Sequence, residues 1–247
     1  MRFLQLLIIV WLGMHAQWAL AFLPIQHWQM ANGTQIYFVE NHDLPILDLS
    51  VEFPAGSSTD TAETSGRASM VQRLMAMGAG GLSEDQIAET LADVGAELSG
   101  SFDLDRAGLS LRTLSTQQQR VRALDVLAKI IQQPEFADAI LERERARVIS
   151  ALKEADTKPE VIADRVLMKL LYGKHPYGLR GSGEPDSLTG LKRQDLVDFY
   201  RTHYTAGNAV VAMIGDIKRD EANRIAEMLT ENLPGGRTDN HLPVVEK

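Results

Sequence analysis

Three polar side chains, Ser69, Gln72 and Arg73, stand together in an otherwise apolar stretch, TSGRASMVQRLMAMGAGG, residues 64–81. Spaced i, i+3 and i+4, they share one face of a helix, and Ala76 continues the stripe. Met70, Val71, Leu74 and Met75 fall on the other side, which reads as the core face. The stripe offers a hydroxyl, a carboxamide and a guanidinium, that is, hydrogen-bond donors and one permanent positive charge. A solvated helix face is the ordinary meaning of such a stripe. The lining of a cleft is the alternative.

Other residues with reactive side chains read more simply. His175 and Tyr177, in KHPYG, are expected to order a loop, because His-Pro and Gly punctuate turns. His203 and Tyr204 close a helix, where a histidine can meet exposed carbonyls. Met70, Met75 and Met77 read as core filler. The run GAGG, residues 78–81, lacks the strand, lysine and Ser/Thr of a phosphate loop and reads as a helix cap and turn.

The elements that would hold these residues follow from periodicity. TQIYFVEN (34–41) and PILDLSVEFPAG (45–56) alternate with period two, and the turn NHDLP between them suggests an antiparallel pair. Residues 96–115 read as a hairpin turning at Asp103–Arg106. NAVVAMIGDI (208–217) is a buried strand. Helical spacing covers 66–78, 83–95, 116–132, 137–155, 159–172, 192–203 and 219–232. Ser83 with Gln86 three residues later forms a capping box for the second helix. Strands interspersed with helix pairs predict an α+β fold, a two-layer sandwich of a mostly antiparallel sheet packed by helices.

The chain has 247 residues, 45% of them hydrophobic and 23% charged, enough for one large domain or two small ones. Residues 1–21 read as a secretory signal peptide: Arg2, an apolar run from Phe3 to Leu12, then Ala19-Leu20-Ala21 as the cleavage site. An uncleaved anchor is the alternative, but the apolar run is short for a span. Cleavage leaves 24 basic against 33 acidic residues, a net −9. An acidic chain without a basic stripe argues against a nucleic-acid role. With no cysteine, an exported chain has no disulfide framework and must rely on its core. Residues 22–234 are expected to form the domain and 235–247 a linker-like tail.

In order and spacing, several stretches resemble the pitrilysin/insulinase metallopeptidases, the inverzincins. They are PAGSSTDTAETSGRASMVQRLM, LSEDQIAETLADVGAELSGSFDLDRAGLSL, ERERARVISALKEADTKPE, LYGKHPYGLRGSGEPDSLTGLKRQDLVDFYRTHYTAGNAVVAMIGDI and the closing LPGG. The resemblance runs from about Gln29 to Pro234. It implies a zinc site built on H-x-x-E-H in the first helix, with the glutamate as general base and a carboxylate from a later helix as third ligand. The first histidine falls on Ser69, the glutamate on Gln72, and the second histidine on Arg73. The third ligand falls on Ala151, or Ser150 if the alignment slips by one. Zinc, the family's cofactor, would therefore find none of its ligands, and no catalytic residue is expected here. Glu144 matches a carboxylate the family often keeps, and Arg73 is expected to pair with it or a nearby acid. At the strand that pairs with extended substrate in the family, this sequence has Ser99 and Gly100, which puts peptide pairing in doubt.

The resemblance further implies that family subunits contain two such halves and close on each other like a clam, so the second half is absent from this sequence. The expected function is a non-catalytic, exported homologue, placed in the bacterial periplasm. It would support a zinc-bearing partner subunit, or pair with a second half-domain, in peptide degradation or processing, with extended peptide as its other ligand. A stand-alone peptide-binding or scaffold protein is the alternative, and a metalloendopeptidase with unorthodox ligands the third. No stable membrane span is expected after signal cleavage.

Overall fold

The computed structural model describes residues 23–239 and 242–245. The expected signal segment, 1–21, lies outside the described residues. Among the described residues eight strands form: β1 (Gln26–Gln29), β2 (Gln35–Glu40), β3 (Ile46–Phe53), β4 (Gly78–Ala79), β5 (Leu82–Ser83), β6 (Glu97–Phe102), β7 (Ala107–Leu114) and β8 (Val210–Gly215). The helices are α1 (Arg67–Leu74), α2 (Glu84–Asp93), α3 (Gln117–Gln132), α4 (Asp138–Ala155), α5 (Pro159–Tyr172), α6 (Pro185–Gly190), α7 (Arg193–His203) and α8 (Arg219–Thr230).

Six strands make one sheet in the order β1-β2-β8-β3-β7-β6. All neighbours run antiparallel except β2 and β8, which are parallel. This is the α+β two-layer architecture that the sequence predicts. In β3, Leu47, Leu49, Val51 and Phe53 are buried while Ile46, Asp48, Ser50 and Glu52 are half-buried. Burying each large apolar side chain contributes about 1.5–3 kcal/mol. A slip of one residue would exchange that set for Asp48, Ser50 and Glu52, so the register is strongly fixed. Helices α1, α3 and α8 pack on one sheet face. Trp28 at the edge donates its indole N–H to Asn223 of α8 at 2.9 Å.

One expected pairing is wrong. β2 and β3 are joined by NHDLP but are not partners, because β8 lies between them. The loop has local reasons to turn without closing a hairpin: Asp43 N–H bonds the Asn41 side chain, and His42 reaches Asp216 at the end of β8. A turn signal fixes a reversal of direction and not the neighbour. The hairpin expected over 96–115 forms, closed by the Asp103 carboxylate on the N–H groups of Asp105 and Arg106.

The first helix ends at Leu74, earlier than apolar spacing suggests. Gly78–Ala79 instead opens a small hairpin with Leu82–Ser83, turned by Gly80 and Gly81, both in the left-handed region that such two-residue turns require. Ser83 then caps α2 with the expected capping box to Gln86. Helix α5 buries none of its residues, and Ile162, Val166, Leu167 and Leu170 face outward. Among the described residues, no helix is long and apolar enough to cross a membrane.

Candidate functional site

The face that carries Ser69, Gln72 and Arg73 is set by how α1 begins. Gly66 precedes it at φ 92°, a conformation that suits glycine, and its Cα side lies against Gly183 and Leu188. No side chain of α1 caps its own N-terminus; the Asp60 carboxylate does so from the preceding loop. Its Oδ2 accepts from the N–H groups of Gly66 and Ala68 at 3.1 and 3.2 Å. Arg67 pairs with Asp60 at 3.3 Å and lies over the Phe199 ring of α7. Burial outweighs these partners and pushes the Asp60 carboxyl up to about 6. With that start, Ala68, Met70, Val71, Leu74 and Met75 turn into the core. Ser69 and Gln72 are half-buried, and Arg73 is exposed.

The three polar residues do different things. The Gln72 carboxamide occupies the space where a Cβ on Gly100 would stand, so Gly100 is the position at which the edge strand β6 admits it. Ser99, one residue earlier on the strand, points to the opposite sheet face. There a shallow apolar concavity of about 720 Å³ lies beside Tyr37, Met213 and Ile214, away from α1. Arg73 donates from Nη1 to Glu144 Oε2 at 3.4 Å. The expected pair therefore forms, yet Arg73 is the most distant of three guanidiniums on that carboxylate. Arg143 Nε and Arg147 Nη1 donate to Glu144 Oε1 at 2.9 and 2.8 Å.

Glu144 is buried to 1% side-chain exposure. Burial pushes its carboxyl up, but Arg143, Arg147 and Arg73 together more than offset this and hold it below the ordinary glutamate value. Arg143 also binds Glu84, at the start of α2, at 2.6 Å. Between α1 and α4 lies a cleft of about 370 Å³ lined by Arg73, Arg147, Ala151, Leu152, Arg180 and Ser182, among others. Ala151 lines it together with Arg73, whereas Ser150 does not. The sequence reading missed Arg143, Arg147 and Arg180. The i, i+4 spacing of Arg143 and Arg147 around Glu144 in ERERARV was the available signal.

The donor set of this cleft does not fit zinc. A hydroxyl, a carboxamide, a guanidinium and a methyl group stand at the four positions, and a dication would be repelled by the cations around it. Among the described residues, no group of three or more His, Cys, Asp or Glu side chains is placed to hold a metal ion.

Among the described residues no histidine lines the cleft. His175 accepts from the Tyr177 N–H at Nδ1, which orders its loop, and its Nε2 meets the Pro243 carbonyl at 2.9 Å. His203 differs from expectation: its ring packs on Phe199, and Nδ1 has no partner among the described residues. Burial, with Arg67 close by, pushes this imidazole down to about 4, so it is neutral at pH 7 and gives no charge to the helix end.

Comparison with known proteins bears on the fold and the family. The model of the insulinase peptidase family M16 matches residues 37–182, and that of the peptidase M16 inactive domain matches 190–246. The two matches meet within one sheet, since β8, from the second, lies between β2 and β3, from the first. The chain is 24% identical over 188 residues to the mitochondrial-processing peptidase subunit beta of Bos taurus, covering 76% of this chain and 38% of that protein. It is 23% identical over 208 residues to an uncharacterized zinc protease of Rickettsia felis, covering 83% of this chain and 50% of that one. A peptidase M16 inactive domain from Pseudomonas fluorescens superposes with a TM-score of 0.88 and 32% identity, over 91% of this chain and 54% of that one. The periplasmic protease PqqL of Escherichia coli superposes with a TM-score of 0.78 at 17% identity, over 90% of this chain and 25% of that one, a likeness of fold. The chain thus spans half or less of the length of these curated relatives. The chain belongs to the insulinase, or M16, peptidase family.

Proposed function

We propose that this chain is a non-catalytic, exported member of its family, which supports a zinc-bearing partner subunit in the degradation or processing of peptides. One observation carries the reading. The helix face that presents the family's metal ligands and general base here presents Ser69, Gln72 and Arg73, opposite Ala151, and Arg73 is bound to Glu144. Glutamine cannot take a proton from water, and arginine stays charged at any physiological pH. One further feature supports a role in holding peptide. Strand β6 ends the sheet order and borders α1, so an extended segment can add to its free edge. Several relatives are named as subunits, and PqqL is named a periplasmic protease, which supports pairing and export respectively.

The test is metal analysis with a peptide-cleavage assay, on the chain alone and after co-expression with a zinc-bearing homologue from the same organism. The expected result is substoichiometric zinc, no cleavage alone, and a stable complex that cleaves faster than the partner by itself. Stoichiometric zinc with chelator-sensitive activity would return the chain to the active peptidases. Peptide binding without any effect on a partner would favour a stand-alone binding protein.

A further inference from the structure

We infer that the cleft between α1 and α4 is a carboxylate-binding subsite, in which Arg73, Arg147 and Arg180 hold either an acidic side chain or the C-terminus of a bound peptide. This rests on the reading that the cleft receives peptide, and it specifies which chemical group the cleft selects.

The charge balance comes first. Three guanidiniums line the cleft and no carboxylate does. The nearby acids lie behind the arginines and are shared. Glu144 is contacted by Arg73, Arg143 and Arg147 at once. Asp156 Oδ1 is shared between Arg180 at 3.0 Å and Arg165 at 3.4 Å. Of the three cations on Glu144 only Arg143 has a second acid, Glu84, so a positive excess remains at Arg73 and Arg147, which line the opening.

Donor geometry points the same way. Arg73, Arg147 and Arg180 each give a single Nη1 to these acids and have no other acceptor among the described residues. The acids thus act as brackets. They orient each planar guanidinium and leave its remaining N–H groups directed elsewhere, as two-point recognition of a carboxylate requires. Arg180 is firmly held, with a side-chain exposure of 11%. Ala151 and Leu152 add an apolar wall beside these donors. Where the family places a ligand carboxylate, Ala151 leaves room for one brought by the ligand. A cleft of about 370 Å³ is large enough for a side chain or a chain terminus.

The experiment uses the full chain and three N-acetylated seven-residue peptides of otherwise neutral sequence. One has a free C-terminus, one is amidated with a central glutamate, and one is amidated and neutral. Binding is measured by calorimetry at low and moderate salt, with glutarate and inorganic phosphate as small probes. The expected result is that at least one charged peptide binds about ten-fold more tightly than the neutral one, with the advantage shrinking as salt rises. Which charged peptide wins identifies the source of the carboxylate.

Two variants check the site. Arg147→Gln removes an exposed donor. Ala151→Glu places a carboxylate at an exposed helix position, where it competes for the same arginines. Each is expected to bring the affinity ratio of charged to neutral peptide close to one, with an unchanged circular-dichroism spectrum. Equal binding of all three peptides by the wild type, or an advantage that survives both variants, overturns the subsite. If no peptide binds but glutarate does, and Ala151→Glu abolishes it, the carboxylate subsite stands and the peptide-holding reading falls. If glutarate and all peptides fail, or only phosphate binds, the inference is wrong.

Discussion

The Arg73 guanidinium lies 3.4 Å from the Glu144 carboxylate, joining the helix that carries the family's motif to the helix that carries its third ligand. In an active member that connection would run through the metal. Here it runs through a charge-assisted hydrogen bond, reinforced by Arg143 and Arg147 on the other oxygen of the same acid. The Arg73–Glu144 pair therefore links the two walls of the cleft.

Glu144 should make the fold acid-sensitive in a specific window. Its folded-state carboxyl is held below the ordinary glutamate value, so it contributes stability that is fully present above about pH 4.5 and is lost as pH falls further. Glu144→Gln is expected to cost about 2 kcal/mol at pH 7, because three guanidiniums lose their shared partner. Arg73→Ala should cost under about 0.5 kcal/mol, since that pair is long and half-exposed. Urea unfolding at pH 7 and pH 3 checks both. A Glu144→Gln penalty that is the same at both pH values would contradict the assignment.

Restoring the four family residues should restore a metal site. Ser69→His, Gln72→Glu, Arg73→His and Ala151→Glu together are expected to bind zinc near one equivalent, because α1 already presents those positions on one face and Ala151 lines the cleft opposite. The three-residue variant that keeps Arg73 should retain little zinc, since its guanidinium stays in the second ligand position. Metal analysis after desalting separates the outcomes. Equal zinc in both variants would mean that the motif geometry has not been preserved.

Much of this was legible in the sequence because its signals are local. The capping box at Ser83, the period-two burial of β3 and the core face of α1 all depend on residues within a turn or two of one another. The insertion of β8 between β2 and β3 was not legible, because it is decided by pairing across some 170 residues of chain. The arginine cluster fell between these cases. Arg143 and Arg147 are visible as a helical pair, but Arg180 arrives from a loop, and only the folded chain brings it to Arg73.

Gly66 is expected to be indispensable to the position of α1. It sits at φ 92°, and a Cβ there would come within 2.7 Å of the Gly183 backbone, which cannot swing away as a side chain could. Gly66→Ala should destabilise the fold by about 3 kcal/mol through left-handed strain and the collision together. A thermal melt within a degree of wild type would show that the loop before α1 relaxes more freely than its contacts suggest.

Gln72 and Gly100 should be thermodynamically coupled, and the sign of the Gly100→Ala effect should depend on Gln72. Alone, alanine in a strand is favoured over glycine by about 0.5–1 kcal/mol, because it loses less backbone freedom on folding. At Gly100 the new methyl would occupy the space of the Gln72 carboxamide, which is the far end of a flexible side chain and can rotate into the cleft. The displacement should offset the gain, leaving the single variant close to neutral. In a Gln72→Ala background nothing needs to move, and Gly100→Ala should then stabilise by the full amount. A double-mutant cycle in urea is expected to give a coupling of about 0.5–1 kcal/mol. The same Gly100→Ala effect in both backgrounds would place the Gln72 amide away from β6, and with it the contact between the motif helix and the edge strand.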